Sequence, residues 1–329
     1  MIKKNVVNKL YVQEESAWQV RSGTFNLLNA MKKLPALQCL VALLFFAVAG
    51  SACAQDTNWL TAPAVSGFNG KFDYSGGEMN SSEGNNLDGS VSFPVAHSFG
   101  FQADGLYSRI SDLNFYGGAG HLFWRNPAVG LFGITGGYLY REGVDTFQLG
   151  AESEYYFHRL TFGAFAGVGQ INYANPAPFI DTNPTRFVGV LSAGYYPIDN
   201  LLVSGSYTTA FNDNLFKGDL EYQTPINGLA LTFEAARGAN GYDHVLFGIR
   251  YYFGGKKSLI DRHRQDDPPG LMPQILHSLG LYGAEFNRRE NAYILANPGS
   301  GSSGGGGDYG SVTIGLNNPG PNPPTITYP

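Results

Sequence analysis

Residues 146–157, TFQLGAESEYYF, alternate between apolar and polar side chains along most of their length. One face of this stretch carries Phe147, Leu149, Ala151, Tyr155 and Phe157. The other face carries Gln148, Gly150, Glu152 and Glu154. Because successive side chains of a β-strand point to opposite faces, the pattern predicts a strand with one apolar and one polar face. In the wall of a transmembrane barrel the apolar face contacts lipid and the polar face lines the lumen.

The same alternation recurs between Ala64 and Phe253, for example at residues 99–107, 216–223 and 245–253. Turn residues separate the segments, whose lengths suit strands that cross a bilayer. We therefore predict an all-β fold: an antiparallel, up-and-down transmembrane β-barrel of about twelve strands, with ten or fourteen as alternatives, over residues 55–254. A soluble β-sandwich also alternates and stays open as a second interpretation.

Charged side chains are predicted to point into the lumen. The lumen-lining candidates are Asp104, Glu152, Glu154, Lys217, Asp219, Glu221, Glu234 and Arg250. Facing charges of both signs can line a narrow selective pore, or they can form ion pairs that close it. A barrel of eight strands is filled by its own side chains, whereas 16–18 strands leave a channel, so twelve strands leave both possibilities open. If the lumen is open, the acidic excess favours cations.

Aromatic residues cluster beside the tight connections, as in the girdle of a membrane barrel. The girdle candidates are Trp124, Tyr155, Phe157, Tyr195, Tyr222, Tyr251 and Phe253. Two stretches rich in Asn, Gly or Pro, Gly76–Asn86 and Tyr173–Thr185, are predicted to be the longer external loops.

An export signal precedes the predicted barrel. A positive start at Met31 leads into the apolar run Cys39–Ala49, and Ala52-Cys53-Ala54 supplies small residues for cleavage. We predict a signal peptide at residues 31–54, a mature chain from Gln55, and a gene-model extension at residues 1–30. Both cysteines fall inside the signal, so the mature chain has no cysteine for a disulfide or a metal site.

The stretch from Ala64 to Phe253 resembles the small porin-like outer-membrane barrel families of Gram-negative bacteria. Its ending, Leu246 to Phe253 (LFGIRYYF), resembles the aromatic last strand that the barrel-assembly machinery recognises. The resemblance implies a narrow porin-like channel in the cell outer membrane. Its partners would be outer-membrane lipid, the barrel-assembly machinery and small cationic or polar solutes. Charged residues make up only 14% of the chain and the net charge is −5, which argues against nucleic acid as a partner.

The composition changes after Gly254. Residues 255–329 contain a charged, Pro-bearing run and a Gly/Ser-rich stretch, and we predict a disordered, low-complexity tail in the periplasm. Met272 to Tyr282 could form a short amphipathic helix within it. The run containing Asp261, His263, Asp266 and Asp267 has no metal-ligand spacing and is predicted to be a solvated linker.

Two other function classes stay open. A lipid-acting enzyme needs a nucleophile beside a base such as His121, but no serine motif accompanies that residue, so no catalytic residue, metal or cofactor is predicted. A closed structural or adhesive barrel would bind a partner through its external loops.

Overall fold

The computed structural model describes residues 61–174 and 184–296. The predicted signal peptide and the residues before it lie outside these ranges, as do residues 297–329 of the predicted tail. Within the described ranges the chain forms a β-barrel followed by two helices.

Twelve antiparallel strands form the barrel, and each pairs with its neighbour in sequence. The strands are β1 (Asn69–Met79), β2 (Ser82–Ala96), β3 (Phe99–Ile110), β4 (Leu113–Asn126), β5 (Gly130–Arg141), β6 (Val144–Phe157), β7 (Leu160–Tyr173), β8 (Thr185–Ile198), β9 (Leu201–Ala210), β10 (Asp213–Gln223), β11 (Leu229–Gly238) and β12 (Asp243–Phe253). Pairing of β1 with β12, from Gly70 with Phe253 to Met79 with His244, closes the sheet. The predicted up-and-down barrel of about twelve strands is confirmed, and closure leaves no edge strand unpaired.

The two ends of the barrel differ in their connections. At the terminal mouth, where β1 begins and β12 ends, all connections are short. At the opposite end, the distal mouth, residues 174–184 separate β7 from β8, and residues 175–183 of the external loop predicted at Tyr173–Thr185 lie outside the described residues. The prediction of a long loop at Gly76–Asn86 is wrong, because β1 and β2 continue through this stretch and turn only at Asn80 and Ser81. Both turn residues have positive φ, of 53° and 65°, which lets a two-residue turn join the strands.

The outer surface of the barrel is apolar. Large side chains that the alternation places outward, such as Ile134, Phe187 and Phe247, are more than half exposed. The predicted girdle residues Trp124, Tyr195, Tyr222, Tyr251 and Phe253 are exposed on this surface as well. Tyr155 and Phe157 are partly exposed and flank the buried Tyr156. A surface of this kind is stable against lipid chains and is costly in water, so the barrel is of the transmembrane type.

The chain continues from β12 back into the barrel. Helix α1 (Leu259–Gln265) and helix α2 (Leu271–Ala296) form what we call the lumen segment, residues 259–296. The prediction of disorder is wrong for these residues, because most side chains from Leu271 to Phe286 are buried against the barrel wall. The helix predicted at Met272–Tyr282 is therefore part of a longer one. No helix among the described residues is both long and apolar enough to cross a membrane.

Candidate functional site

The lumen is the candidate site, and α2 occupies it. Leu271, Ile275 and Leu279 are each 2% exposed or less, although they lie inside a barrel wall that is otherwise rich in polar groups. Wall glycines make room for them: a Cβ atom on Gly117 would clash with Met272, and one on Gly137 would lie 2.8 Å from Ile275 Cδ1. The helix therefore fits the wall because the facing positions carry no side chains.

The beginning of α2 is held by Asp104. The backbone N–H of Leu271 donates to Asp104 Oδ2 over 2.9 Å. A carboxylate at this position accepts one of the unpaired N–H groups of a helix start and interacts favourably with the helix dipole. Asp104 is itself bound on the wall, since His121 Nε2 lies 2.9 Å from the same oxygen and Gln102 donates to Oδ1. The wall thus supplies a fixed N-terminal cap for the helix.

The other end of α2 reaches the distal mouth. Tyr282 packs on Phe211 and Tyr173, with ring centroids 5.4 and 6.3 Å apart, and Phe286 also contacts Tyr173. Arg288 and Arg289 donate to the Glu285 carboxylate over 2.6–2.7 Å. The hydrogen bonds from these two arginines hold the pKa of Glu285 below its usual range. Beyond Phe286 the helix becomes partly exposed, so it passes along the lumen and emerges at this end.

An ion-pair network lies on the wall near the terminal mouth. The Arg250 guanidinium binds Asp73 and Glu221, with Nη1 2.6 Å from Glu221 Oε2. The Tyr252 hydroxyl donates to the other Glu221 oxygen over 2.6 Å. His263 of α1 joins the same network, 2.8 Å from the Tyr252 hydroxyl. These contacts join β1, β10, β12 and α1. They also pair the buried charges, which would destabilise the barrel if they were left without partners.

A second network lies beside α2, near His277. Lys217 Nζ is 2.7 Å from both Asp219 Oδ1 and Glu234 Oε2. Glu234 Oε1 faces two histidines: His244 Nε2 at 2.8 Å and His277 Nε2 at 3.2 Å. His244 belongs to β12 and His277 to α2, so this network also joins wall and helix.

Residues of α1 and the two residues after it bind the barrel at the terminal mouth. Asp266 accepts hydrogen bonds from Ser66 and Asn69 and pairs with Lys257, while Asp267 pairs with Lys71 over 2.7 Å. The prediction that Asp261, His263, Asp266 and Asp267 form a solvated linker is therefore wrong for Asp266 and Asp267, which find buried partners on the wall. His263 contacts two wall tyrosines, Tyr196 and Tyr252, and Asp261 helps to cap α1 through Ser258.

The structure places all of the predicted lumen residues on the inner side of the wall, and it divides them among separate networks. Glu152 joins Asp104 through His121, while Glu154 accepts from the Tyr156 hydroxyl over 2.7 Å. The sequence analysis missed Lys71 and Asp73, which the alternation along β1 could have placed inside. It also missed the partners on the lumen segment, because nothing in their spacing indicates that the chain re-enters the barrel.

Among the cavities beside the lumen segment, two contact residues of the networks described above. The larger has a volume of about 320 Å³ and is lined by wall charges together with His263, Asp267 and His277 of the lumen segment. The smaller, of about 70 Å³, lies beside His121 and Glu152. The inward glycines Gly100, Gly150, Gly163 and Gly248 do not widen the lumen, because neighbouring wall side chains occupy the space next to each of them. Cavities of this size can hold water.

His121 has the contacts of a structural ion-pair member. Its Nδ1 lies 3.0 Å from Glu152 Oε2 and its Nε2 lies 2.9 Å from Asp104 Oδ2. Both ring nitrogens thus face carboxylates, which leaves neither of them positioned to activate a hydroxyl in this arrangement.

Comparisons with known proteins find matches among solved structures, at low sequence identity. A scan of family models finds no match, and a search of curated proteins finds none either. Among solved structures, a KdgM porin matches 56% of this chain and 99% of its own at 11% identity and a TM-score of 0.42. A NanC porin matches 55% and 98%, at 10% identity and a TM-score of 0.46. The outer membrane protein Omp33 of Acinetobacter baumannii matches 56% and 98%, at 13% identity and a TM-score of 0.41.

The strand pairing and the apolar exterior establish the class by themselves: the chain has the fold of an outer-membrane β-barrel. The predicted porin-like barrel is confirmed at the level of fold. The functions of the matched porins are not transferred to this chain by similarity at this level.

Proposed function

We propose that the protein is a narrow porin-like channel for small solutes in the outer membrane of a Gram-negative bacterium, and that its own lumen segment closes it. The terminal mouth would face the periplasm, since short connections are typical of that side. Outer-membrane lipid and the barrel-assembly machinery would be its partners. Solutes would pass only when the lumen segment moves out of the barrel.

The observation that carries this proposal is the way the lumen is filled. Twelve strands about 4.8 Å apart and tilted by about 40° form a cylinder with a backbone radius of about 12 Å. A helix with its side chains is about 10–12 Å across, so one helix and the wall side chains fill this space. Without the lumen segment, the wall would enclose an aqueous passage lined by acidic and basic side chains such as Lys217, Asp219 and Glu221. The blocking element is a single segment at one end of the barrel sequence, joined to β12 by residues 254–258.

The charge of the wall indicates the solute class. Among the lumen candidates only Lys217 and Arg250 are basic, and the others are acidic. An open lumen would therefore attract cationic or polar solutes and repel anions.

Planar-bilayer recording of three forms of the chain tests the proposal. The full chain from Gln55 should be mostly closed. A chain that ends at Gly255 should give stepwise conductance, because it lacks the lumen segment. A chain that ends at Ala296 is the matched control and should behave like the full chain. A correctly folded Gly255 form without conductance would disprove the channel.

One observation favours a second candidate, a closed barrel that presents a chain segment outside the cell. The helix α2 begins inside the lumen, and its last described residues lie at the distal mouth. Protease treatment of intact cells that carry an epitope tag after Pro329 distinguishes the candidates: loss of the tag favours presentation, and protection argues against it.

We also infer that the protein is not an enzyme. The contacts of His121 with two carboxylates support this inference. Phospholipid hydrolysis by the purified protein in detergent, if it were lost in a His121→Ala variant, would contradict it.

A further inference from the structure

Glu234, His244 and His277 bring three potential metal ligands to one point between the wall and α2. One ligand atom from each lies within 4.8 Å of the others. Both histidines are almost fully buried, with exposures of 2% and 5%. The ligand set contains two imidazoles and one carboxylate, which is a combination that binds Zn²⁺ and related transition-metal ions.

The distances suit such an ion. Ligands about 2.0–2.2 Å from a tetrahedral centre lie roughly 3.3–3.5 Å apart. In the structure Glu234 Oε1 is 2.8 Å from His244 Nε2 and 3.2 Å from His277 Nε2. Outward movements of a few tenths of an ångström would therefore create the site. The centroids of the two imidazole rings are 4.5 Å apart, and the ring planes make an angle of 31°.

The hydrogen bonding of His244 points to a missing ligand. Its Nδ1 lies 3.1 Å from the Tyr242 hydroxyl, which can fix the ring as a second-shell partner does in metal sites. Its Nε2 is buried and close to Glu234, yet within the described part of the chain it makes no hydrogen bond of acceptable geometry. A cation between this ring nitrogen and the carboxylate would bind both groups and so give the buried nitrogen a partner.

The neighbouring charges are compatible with one further cation. Lys217 binds the other oxygen of Glu234, Oε2, and is itself balanced by Asp219. Oε1 therefore remains available as a monodentate ligand. Leu246 of β12 and Leu276 of α2 line the adjacent cavity.

We propose that Glu234, His244 and His277 form a site for Zn²⁺ or a similar divalent transition-metal ion, and that the bound ion fastens α2 to the barrel wall. A fourth position would be taken by water from the adjacent cavity of about 320 Å³. Because two ligands come from the wall and one from the helix, the ion binds fully only while the lumen segment is inside. This proposal concerns binding and holds whether or not the barrel conducts.

Zinc titration of the purified full chain, after treatment with a chelator, tests the proposal. Competition with a chromogenic chelator should show one high-affinity Zn²⁺ per chain. Loss of a direct ligand should exceed the effect of losing a second-shell partner, so His244→Ala and His277→Ala should each weaken binding by more than about 100-fold. The matched control is His263→Ala, which removes a lumen histidine from the terminal mouth and should leave the affinity unchanged.

A second measurement separates ligation from folding. Co²⁺ bound to the His277→Cys variant should show the charge-transfer absorption of a thiolate ligand, which the original chain should lack. Absence of stoichiometric Zn²⁺ binding to the original chain would overturn the proposal. An equal loss of Zn²⁺ affinity in the His263→Ala control would overturn it as well. So would an unchanged Zn²⁺ affinity in both His244→Ala and His277→Ala.

Discussion

Replacement of Gly137 by valine should push α2 out of the lumen. A Cβ atom at this position would lie 2.8 Å from Ile275 Cδ1 and 3.2 Å from Leu271 Cδ2, and valine adds two methyl groups beyond it. The strand itself tolerates valine, because β-branched residues suit extended backbone. The new side chain also approaches Ala119 on the next strand, at 2.8 Å, so part of the strain falls on the wall.

The size of the effect follows from overpacking. Extra methyl groups in a filled core cost about 1–3 kcal/mol. If this cost falls mainly on the inserted state, the ratio of displaced to inserted helix rises about 5- to 150-fold. The rise in this ratio should be near the upper end of that range if the barrel wall does not move. It should be near the lower end if Ala119 moves to make room for the valine.

Thiol labelling measures the displaced population. Ser278 is fully buried on α2, and Ser278→Cys is a nearly isosteric change. The only native cysteines are Cys39 and Cys53, so with serine at those positions the new thiol is unique. When the helix leaves and returns faster than the maleimide reacts, the labelling rate is proportional to the displaced fraction and should rise by the same 5- to 150-fold.

Two further variants control the experiment. Gly105→Val places the same side chain where a Cβ atom would meet nothing within 4 Å, so the labelling rate should not change. Ile275→Ala combined with Gly137→Val removes the main clash and should bring the rate back toward that of Ile275→Ala alone. A folded Gly137→Val barrel that labels no faster than the parent would refute the proposed packing of helix against wall.

Three other predictions follow from the same networks. Arg250→Met leaves Asp73 and Glu221 buried without their cation and should lower the free energy of unfolding by about 3–5 kcal/mol, measurable by urea titration in detergent; a change below about 1 kcal/mol would contradict the ion-pair assignment. Asp104→Ala removes the cap of α2 and should raise the thiol-labelling rate about 2- to 30-fold, which corresponds to a loss of about 0.5–2 kcal/mol, whereas an unchanged rate would show that the cap does not hold the helix. The chain that ends at Gly255 should prefer cations in a reversal-potential measurement across a KCl gradient, and clear anion preference would exclude the acidic wall as the selective element.

The barrel could be predicted because its signal is local. In β6 and β12 each residue faces lipid or lumen according to its parity, so alternation in the sequence carries the information directly. The prediction of a loop at Gly76–Asn86 is wrong because it also relies on local sequence. Gly and Asn residues are typical of loops, but here β1 and β2 continue and pair with each other. Strand pairing can compensate for weak intrinsic preference, and a single sequence does not reveal where it does so.

The position of α2 could not be predicted in this way. Most of α2 up to Phe286 is buried, and the local sequence does not indicate that a barrel lumen surrounds it. The space for it comes from Gly117 and Gly137, which are more than 130 residues away in the chain. The same holds for His244 and His277, since their proximity depends on the re-entry of the chain and not on any ligand spacing.

The short connection between β12 and the lumen segment has a consequence for reversibility. Residues 254–258 join β12 to the lumen segment and would hold the helix near the barrel if it left the lumen. A tether this short keeps the local concentration of the blocking element in about the millimolar range, whatever the amount of protein in the membrane. Under the proposed closure by the lumen segment, resealing would be a first-order event within one molecule, so each barrel would close independently of its neighbours and no separate inhibitor would have to be found by diffusion.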